Sequence, residues 1–164
     1  NQVRQDVFQL KGSGRVGQGY STIELAKAIR QALGLGKEKK KLCIIGAGNL
    51  GHALAAHVPF QEYGMQLSAV FDIQSDVLGQ RINEIEVVHM DSMPKMIAEQ
   101  EIAIAALCVP ATVAQAAADE LVKAGIKGIL NYSRTRLKTP KEITVKNQQV
   151  ICSFMQLSYA VSEH

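Results

Sequence analysis

The segment Leu42-Cys43-Ile44-Ile45-Gly46-Ala47-Gly48-Asn49-Leu50-Gly51 decides the fold, because it leads from an apolar run through a glycine-rich turn into a helical pattern. In such a strand-turn-helix unit, Gly46 permits the tight turn, Gly48 lets a ligand approach the backbone, and Gly51 lets the helix pack closely on the strand. The N–H groups of the turn would face an anion, with the positive end of the helix dipole behind them. The spacing therefore predicts that residues 46–51 bind a diphosphate.

An acidic residue closes the next apolar run. Asp72 ends Ala69-Val-Phe-Asp72, 21 residues after Gly51, where a carboxylate can accept hydrogen bonds from both hydroxyls of an adenosine ribose. A 2′-phosphate would meet like charge there, so the sequence favours NAD(H) over NADP(H). Asp72 and its neighbour Ile73 are therefore candidate cofactor-binding residues. A tight turn that Asp72 caps without any ligand stays open as the alternative.

From Lys41 onward, short apolar strands alternate with helices. Such strands indicate a parallel sheet that is covered on both faces. We therefore predict an α/β fold with a doubly wound, mostly parallel, Rossmann-like sheet. The predicted helices cover residues 49–58, 92–99 and 111–124. The predicted strands are Leu42–Ile45, Leu67–Phe71, Glu86–His89, Ile102–Val109, Gly128–Asn131 and Val150–Cys152.

Two further segments follow strands of this sheet and join the candidate cofactor site. They are Val109-Pro110-Ala111 and Asn131-Tyr132. Ligands of open α/β sheets bind outside the carboxyl ends of the strands, so we expect these segments beside the nicotinamide. The chain has no Tyr-x-x-x-Lys pair and no evident His–Asp relay that could serve hydride chemistry. We therefore predict that the dinucleotide is a signal and that the protein is not an enzyme.

The first 40 residues differ from the rest in charge and pattern. Residues 1–41 carry nine Lys or Arg and three acidic residues, a net charge of +6 that suits an anionic partner. Ser21-Thr-Ile-Glu24 is a capping box, which predicts a helix over residues 22–33. We divide the chain into residues 1–20, a helix and basic linker at 21–40, a dinucleotide-binding domain at 41–152 and a final helix at 153–164.

Length and composition exclude several classes of protein. The 164 residues allow one ordinary domain with a short attachment. Cys43, Cys108 and Cys152 lie far apart in apolar surroundings and predict buried thiols rather than disulfides or a zinc site. His52 and His57 are five residues apart, which is not the i, i+4 spacing of a zinc pair. No apolar run is long enough to span a bilayer and no signal peptide opens the chain, so we predict a cytoplasmic protein without metal.

Several motifs together resemble those of the bacterial redox-sensing transcriptional repressors of the Rex family. The resemblance covers essentially the whole chain. The motifs that carry it are Gln2-Val-Arg-Gln-Asp6, Gly17-Gln-Gly-Tyr20, Leu33-Gly-Leu35, Gly46-Ala-Gly-Asn-Leu-Gly51, Phe71-Asp72, Val109-Pro-Ala111, Ala124-Gly-Ile-Lys-Gly-Ile-Leu-Asn131 and Leu157-Ser-Tyr159. The resemblance implies a repressor that binds NAD(H) and releases operator DNA when the ratio of NADH to NAD⁺ rises.

The resemblance also implies a homodimer that binds DNA through winged-helix domains. Residues 1–20 would be the end of such a domain, the rest of which this chain lacks. Its DNA-binding residues would be Gln2, Arg4, Gln5, Lys11 and Arg15. The final helix would be exchanged between protomers through one face made of Ile151, Phe154, Leu157 and Val161. The alternative for this face, that it covers the chain's own sheet, stays open.

Three positions depart from the family pattern. The wing reads Ser13-Gly-Arg-Val-Gly17 where the family usually has Phe-Gly-x-Arg-Gly. Val88 stands where the family often has Tyr, and Gln148-Gln149 stand where it often has Val-Asp. A tyrosine–aspartate coupling between protomers then cannot form, so we hypothesise that the link between dinucleotide and DNA is weakened or rebuilt. A CoA-binding Rossmann domain and a small NAD-dependent oxidoreductase without its substrate domain stay open as alternative functions.

Overall fold

A computed structural model of the chain describes residues 21–32 and 39–162. The predicted DNA-binding residues Gln2, Arg4, Gln5, Lys11 and Arg15 lie outside the described residues, as does the whole predicted winged-helix remnant at 1–20. Five helices are described: α1 (Thr22–Ala32), α2 (Asn49–His57), α3 (Met93–Gln100), α4 (Ala111–Lys123) and α5 (Val150–Ser162). Short 3₁₀ turns cover Phe60–Tyr63 and Met90–Ser92.

The strands within the described residues form one sheet of seven. They are β1 (Lys40–Ile45), β2 (Met65–Asp72), β3 (Arg81–Ile82), β4 (Ile85–His89), β5 (Ile104–Leu107), β6 (Gly128–Asn131) and β7 (Thr144–Asn147). Their order is β3-β4-β2-β1-β5-β6-β7, and every pair is parallel except β3 with β4. The chain runs outward from β1 through β2 and β4, then returns to the other side through β5, β6 and β7. The predicted doubly wound, mostly parallel sheet is therefore confirmed, and its order reverses beside β1.

The core lies on both faces of this sheet. Cys43, Ile45 and Phe71 belong to the cluster that packs against α3 and α4, whereas Ile44 and Val70 belong to the cluster that includes Ala55 of α2. Successive strand residues point to opposite faces, so a strand that is covered on both faces needs an unbroken apolar run. This requirement explains why Leu42-Cys-Ile-Ile45 shows no alternation of polar and apolar residues.

The last predicted strand was wrong. Val150–Cys152 is the first turn of α5, and the sixth parallel strand is Thr144–Asn147 instead. The true strand lies at the edge of the sheet, next to β6 alone, and has three exposed residues and one half-buried one. An edge strand does not need the continuous apolar run that marks a central strand, and therefore Thr144–Asn147 gave little signal. The predicted strand Ile102–Val109 is shorter in the structure, where β5 covers Ile104–Leu107.

Helix α5 shows no buried residue. The four predicted dimer residues, Ile151, Phe154, Leu157 and Val161, are 60–65% exposed, so they do not cover the chain's own sheet and that alternative is wrong. Cys152 is exposed on the same helix, contrary to the expectation of three buried thiols, whereas Cys43 is buried and Cys108 is half-buried. The described part of the chain contains no helix with the length and apolar character of a membrane span.

Candidate functional site

The glycine turn between β1 and α2 has no room for side chains at two positions. Gly46 has φ +95°, and a Cβ there would lie 2.8 Å from the carbonyl oxygen of Cys108. A Cβ on Gly51 would collide with the carbonyl oxygen of Gly46, which is backbone and cannot move aside. The predicted roles of both glycines, a tight turn and close packing of helix on strand, are therefore confirmed. The turn brings the first residues of α2 to the carboxyl end of β1.

Gly48 differs from these two glycines because it faces open space. A Cβ on Gly48 would have no heavy atom within 4 Å. Gly48 is the N-cap of α2, and no side chain caps this helix. The first N–H groups of a helix have no partner within the helix, so those of Asn49 and Leu50 are available to a ligand. This exposed, uncapped helix start suits an anion such as a diphosphate.

Asp72 stands opposite the turn and already holds three backbone amides. Its Oδ2 accepts a hydrogen bond from the N–H of Ala47 at 2.6 Å. Its Oδ1 accepts from the N–H groups of Ile73 and Gln74 at 2.6 and 2.9 Å. A carboxylate has about four acceptor positions, so about one of them is left for a ligand. Asp72 thus caps the glycine turn, as the alternative in the sequence analysis expected. It can accept both hydroxyls of a ribose only if one of the three amide bonds breaks.

A cleft of about 260 Å³ opens next to Asp72 at the carboxyl ends of β1, β2 and β4. Ile45, Gly46, Phe71, Asp72 and Ile73 of the predicted site region line it. Its further lining residues are His89, Met90, Asp91, Val109, Val113, Ala116, Ala117 and Glu120. Most of these were missed by the sequence reasoning, although Val113, Ala116, Ala117 and Glu120 follow the i, i+3, i+4, i+7 spacing of one helix face.

The charged groups around this cleft are mostly acidic. Asp72, Asp91 and Glu120 border it, and His89 is the one basic group among the described residues that line it. The Nδ1 atom of His89 lies 3.1 Å from a carboxylate oxygen of Asp91 and also accepts from the Asp91 N–H. The arrangement favours a ligand that brings hydroxyls, rather than a phosphate, to this end of the cleft. A larger hollow of about 550 Å³ lies near the amino ends of β2 and β4, and none of the predicted site residues lines it.

The segments expected beside the nicotinamide lie at the carboxyl ends of β5 and β6. Pro110 is the N-cap of α4, which begins at Ala111, and the N–H of Tyr132 donates to the carbonyl of Leu107 at 3.0 Å. Burial, followed by the neighbouring thiol of Cys108, raises the pKa of Tyr132. Val109 reaches the cleft next to Asp72. The structure thus brings the glycine turn, Asp72 and Val109 to one edge of the sheet.

Asn131 has a structural role that the sequence reasoning did not anticipate. Its side chain is completely buried. The Oδ1 atom accepts from the N–H and the hydroxyl of Ser133 at 3.0 and 2.7 Å. The Nδ2 atom donates to the carbonyl of Thr135 and to Oδ1 of Asn147, both at 2.8 Å. The amide group is therefore fully used within the protein, and the predicted contact of its side chain with a cofactor would require one of these bonds to break.

Two of the three thiols are poor candidates for redox chemistry. Burial raises the pKa of the Cys43 thiol to about 12 and that of Cys108 to about 11. The thiolate is the reactive form, so the raised pKa values disfavour reaction of both thiols near neutral pH. Among the described residues, no group of three or more His, Cys, Asp or Glu side chains could hold a metal ion.

Comparison with known proteins places this geometry in a family. Residues 37–135 match the family profile described as CoA binding domain. The redox-sensing transcriptional repressor Rex of Caldanaerobacter subterraneus subsp. tengcongensis is 40% identical over 163 residues, which cover 99% of this chain and 72% of the relative. The chain belongs to the Rex family. Rex of Clostridioides difficile is 37% identical over 163 residues, covering 99% of this chain and 77% of the relative.

Solved Rex structures agree with the fold over the same length. The crystal structure of RSP, a Rex-family repressor, in complex with β-NAD⁺ and operator DNA has a TM-score of 0.89 and 38% identity, and the match covers 99% of this chain and 74% of RSP. The complex of RSP with β-NADH has a TM-score of 0.84 and 36% identity, with 99% and 75% covered. The fold of this Rex chain is therefore that of a repressor that has been crystallised with both forms of the dinucleotide.

The contact between Gly51 and Gly46 gives a first prediction. We expect Gly51→Ala to lower the free energy of unfolding by about 1–3 kcal/mol or more, because the new methyl group meets backbone. Gly48→Ala is the matched control in the same turn and should change stability by less than about 1 kcal/mol, because its methyl group enters open space. Urea unfolding of both variants measures the difference. Equal stability of the two variants would contradict the predicted contact.

The raised thiol pKa values give a second prediction. In a Cys152→Ser variant, we expect Cys43 and Cys108 not to react with a thiol reagent at pH 8, since roughly one thiol in a thousand or fewer is then ionised. Both should react once denaturant unfolds the chain, which serves as the control. Rapid modification of either group in the folded protein would show that burial does not protect it.

Proposed function

We propose that this chain is the dinucleotide-sensing part of a repressor and binds NAD(H) in the crevice formed by the glycine turn, Asp72 and the cleft. The observation that carries the proposal is the uncapped start of α2, which stands with open space at Gly48 directly opposite the carboxylate of Asp72. A diphosphate needs the first feature and an adenosine ribose the second. The Rex relatives from Caldanaerobacter subterraneus and Clostridioides difficile are transcriptional repressors, which supports a regulator rather than an enzyme.

Each part of NAD(H) has a set of residues suited to it. The N–H groups of residues 46–51 would take the diphosphate, and Asp72 and Ile73 the adenosine ribose. The segments Val109-Pro110-Ala111 and Asn131-Tyr132 would border the nicotinamide, with the side chain of Asn131 kept in its bonds within the protein. The dinucleotide supplies the redox signal, and the protein's own groups bind and orient it.

The acidic border of the cleft would favour NAD(H) over CoA, the ligand in the name of the matched family profile. CoA carries a phosphate on the 3′ position of its adenosine ribose, and NADP(H) carries one on the 2′ position. Either phosphate would approach Asp72, with Asp91 and Glu120 also on the cleft wall. Like charges in a partly buried site repel each other strongly. The free ribose diol of NAD(H) avoids this repulsion.

We infer that the basic amino-terminal segment contributes to DNA binding. Residues 1–41 carry the net charge of +6, and such segments gain most of their affinity from phosphate contacts. RSP has been crystallised with operator DNA, which supports roles for Gln2, Arg4, Gln5, Lys11 and Arg15 in residues 1–20. In this proposal, 21–40 is the linker, 41–152 the sensing domain and 153–164 the final helix. The protein would work in the cytoplasm, where it meets both DNA and NAD(H).

We also infer that α5 pairs with a second copy of the chain. The predicted contacts Ile151, Phe154, Leu157 and Val161 are more than half exposed in a single chain, and Val150 and Met155 are exposed beside them. An apolar stripe of this size is unfavourable in water and is typical of a protein interface. The resemblance to the Rex family implies a homodimer, so we infer that the partner is a second copy of this chain.

Calorimetry tests the proposed ligand. We expect NADH and NAD⁺ to bind, and CoA and NADPH to bind at least about tenfold more weakly because of like charge at the ribose. Asp72→Ala should weaken NADH binding by about tenfold to a hundredfold, since it removes charge-assisted hydrogen bonds and also frees the N–H of Ala47. Asp76→Ala is the matched control, because it makes the same change in charge at an exposed position outside the cleft. Tighter binding of CoA than of NADH would overturn the proposal.

Mass measurement by light scattering tests the proposed dimer. We expect the chain to have the mass of two copies and Phe154→Glu to have the mass of one, because a charge in the apolar stripe blocks the contact. Gln156→Glu adds the same charge two residues away, on the opposite side of the helix, and should remain dimeric. A single-copy mass for the unchanged chain would contradict pairing through α5, as would a dimer that survives removal of the residues after Gln149.

A further inference from the structure

Asn131 is the last residue of β6, which lies between β5 and the edge strand β7. Among residues 21–32 and 39–162 it is one of two buried polar residues, and Ser133, the other, is bonded to it. An amide buried without partners would be costly, whereas this one has partners in every direction. The geometry of the loop after β6 and the geometry of β7 therefore both depend on where Asn131 stands.

One arm of this junction runs toward the proposed nicotinamide position. Nδ2 of Asn131 donates to the carbonyl of Thr135, and the hydroxyl of Thr135 donates to the carbonyl of Ala111 at 3.1 Å. Ala111 is the first residue of α4, directly after Val109 and Pro110. Further along the same loop, the side chain of Gln115 holds both the N–H and the carbonyl of Lys138 at 2.9 Å. The loop is thus fastened to the helix that starts at the ligand crevice.

The other arm runs toward α5. Nδ2 of Asn131 also donates to Oδ1 of Asn147, the last residue of β7. The carbonyl of Asn131 accepts from the N–H of Gln148 at 2.8 Å. Helix α5 begins two residues later, at Val150. A shift of Asn131 relative to β7 would therefore change the direction in which α5 leaves the sheet.

We propose that Asn131 is a positioning residue that couples dinucleotide binding to α5, through Thr135 and Ala111 on one side and Asn147 and Gln148 on the other. The proposal rests on the proposed binding of NAD(H). It supplies a route for the rebuilt coupling that Val88, Gln148 and Gln149 led us to hypothesise, because it lies within one protomer and needs neither a Tyr nor an Asp at those positions. Gln148 takes part through its backbone N–H, which any residue other than proline could provide.

The coupling works only if the ligand prefers one arrangement of the junction. A ligand shifts an equilibrium only by its differential affinity for the two states. A nicotinamide ring beside Ala111 and Tyr132 would touch the start of α4, to which the hydroxyl of Thr135 is bonded. NADH and NAD⁺ can therefore favour different positions of Asn131 relative to β7. The direction of α5 then reports which form is bound.

Amide hydrogen exchange of α5, followed by mass spectrometry with and without NADH, tests this coupling on the full chain. NADH should slow exchange in residues 150–162 at least about fivefold, the lower end of couplings between sites in proteins. Asn147→Ala should abolish this response and change NADH affinity by no more than about the fivefold of the coupling itself, because it removes the acceptor for Nδ2 outside the ligand crevice. Thr135→Val removes the hydroxyl bond to the carbonyl of Ala111 and so breaks the other arm at that point, and it should have the same effect.

Two matched variants separate coupling from general damage. Asn147→Asp keeps an acceptor oxygen at the same place and should keep the response. Lys146→Ala changes an exposed neighbour on β7 that makes no side-chain bond in the described structure, and should also keep it. An unchanged response in Asn147→Ala and Thr135→Val would overturn the proposal, and so would NADH binding without any change in α5. Failure of the unchanged chain to bind NADH in calorimetry would instead overturn the proposed function, and this inference with it.

Discussion

The structure depends on a contact between two pieces of backbone. Gly51 in the first turn of α2 lies against the carbonyl of Gly46, so closely that even a methyl group would not fit. This approach lets α2 begin close to the end of β1, and no side chain caps the first N–H groups of the helix. Asp72 holds the turn from the other side through the N–H of Ala47. Together they preorganise the turn, so the proposed anion site would require no side chain from the turn itself.

Asp72 holds the main chain of the turn in place and would also select the ligand by the charge on its ribose. Its carboxylate fixes the main chain of the turn and of the residues that follow β2, and its charge disfavours a phosphorylated ribose. The matched family profile bears the name of CoA, whereas the chemistry of the cleft points to an adenosine whose ribose hydroxyls are free. The fold is common to both classes of ligand, so a few side chains near the ribose decide between them.

Much of the fold could be predicted from sequence because its signals are local. The glycine turn, the strands β1 and β6 and the starts of α2 and α4 were predicted to within a residue or two, since turn chemistry and continuous apolar runs mark them. The edge strand Thr144–Asn147 was missed because an edge strand is half exposed. The junction at Asn131 was also missed, because its bonds join residues from four elements that only the folded chain brings together. Asp91 was missed as a residue of the cleft for the same reason, because only the folded chain brings it beside Asp72. The face of α4 that lines the cleft has regular helical spacing and could have been found from sequence.

The exposed stripe on α5 has a thermodynamic consequence for the protein as a whole. Six large apolar side chains of this helix that lie more than half in water, Val150, Ile151, Phe154, Met155, Leu157 and Val161, contribute little to the stability of a solitary chain. In the proposed dimer these side chains would be buried between the chains, so pairing would add to the stability that the core supplies within each chain. The melting temperature of such a protein rises with its concentration, by mass action. How much of it the cell makes then helps to determine how firmly each copy is folded.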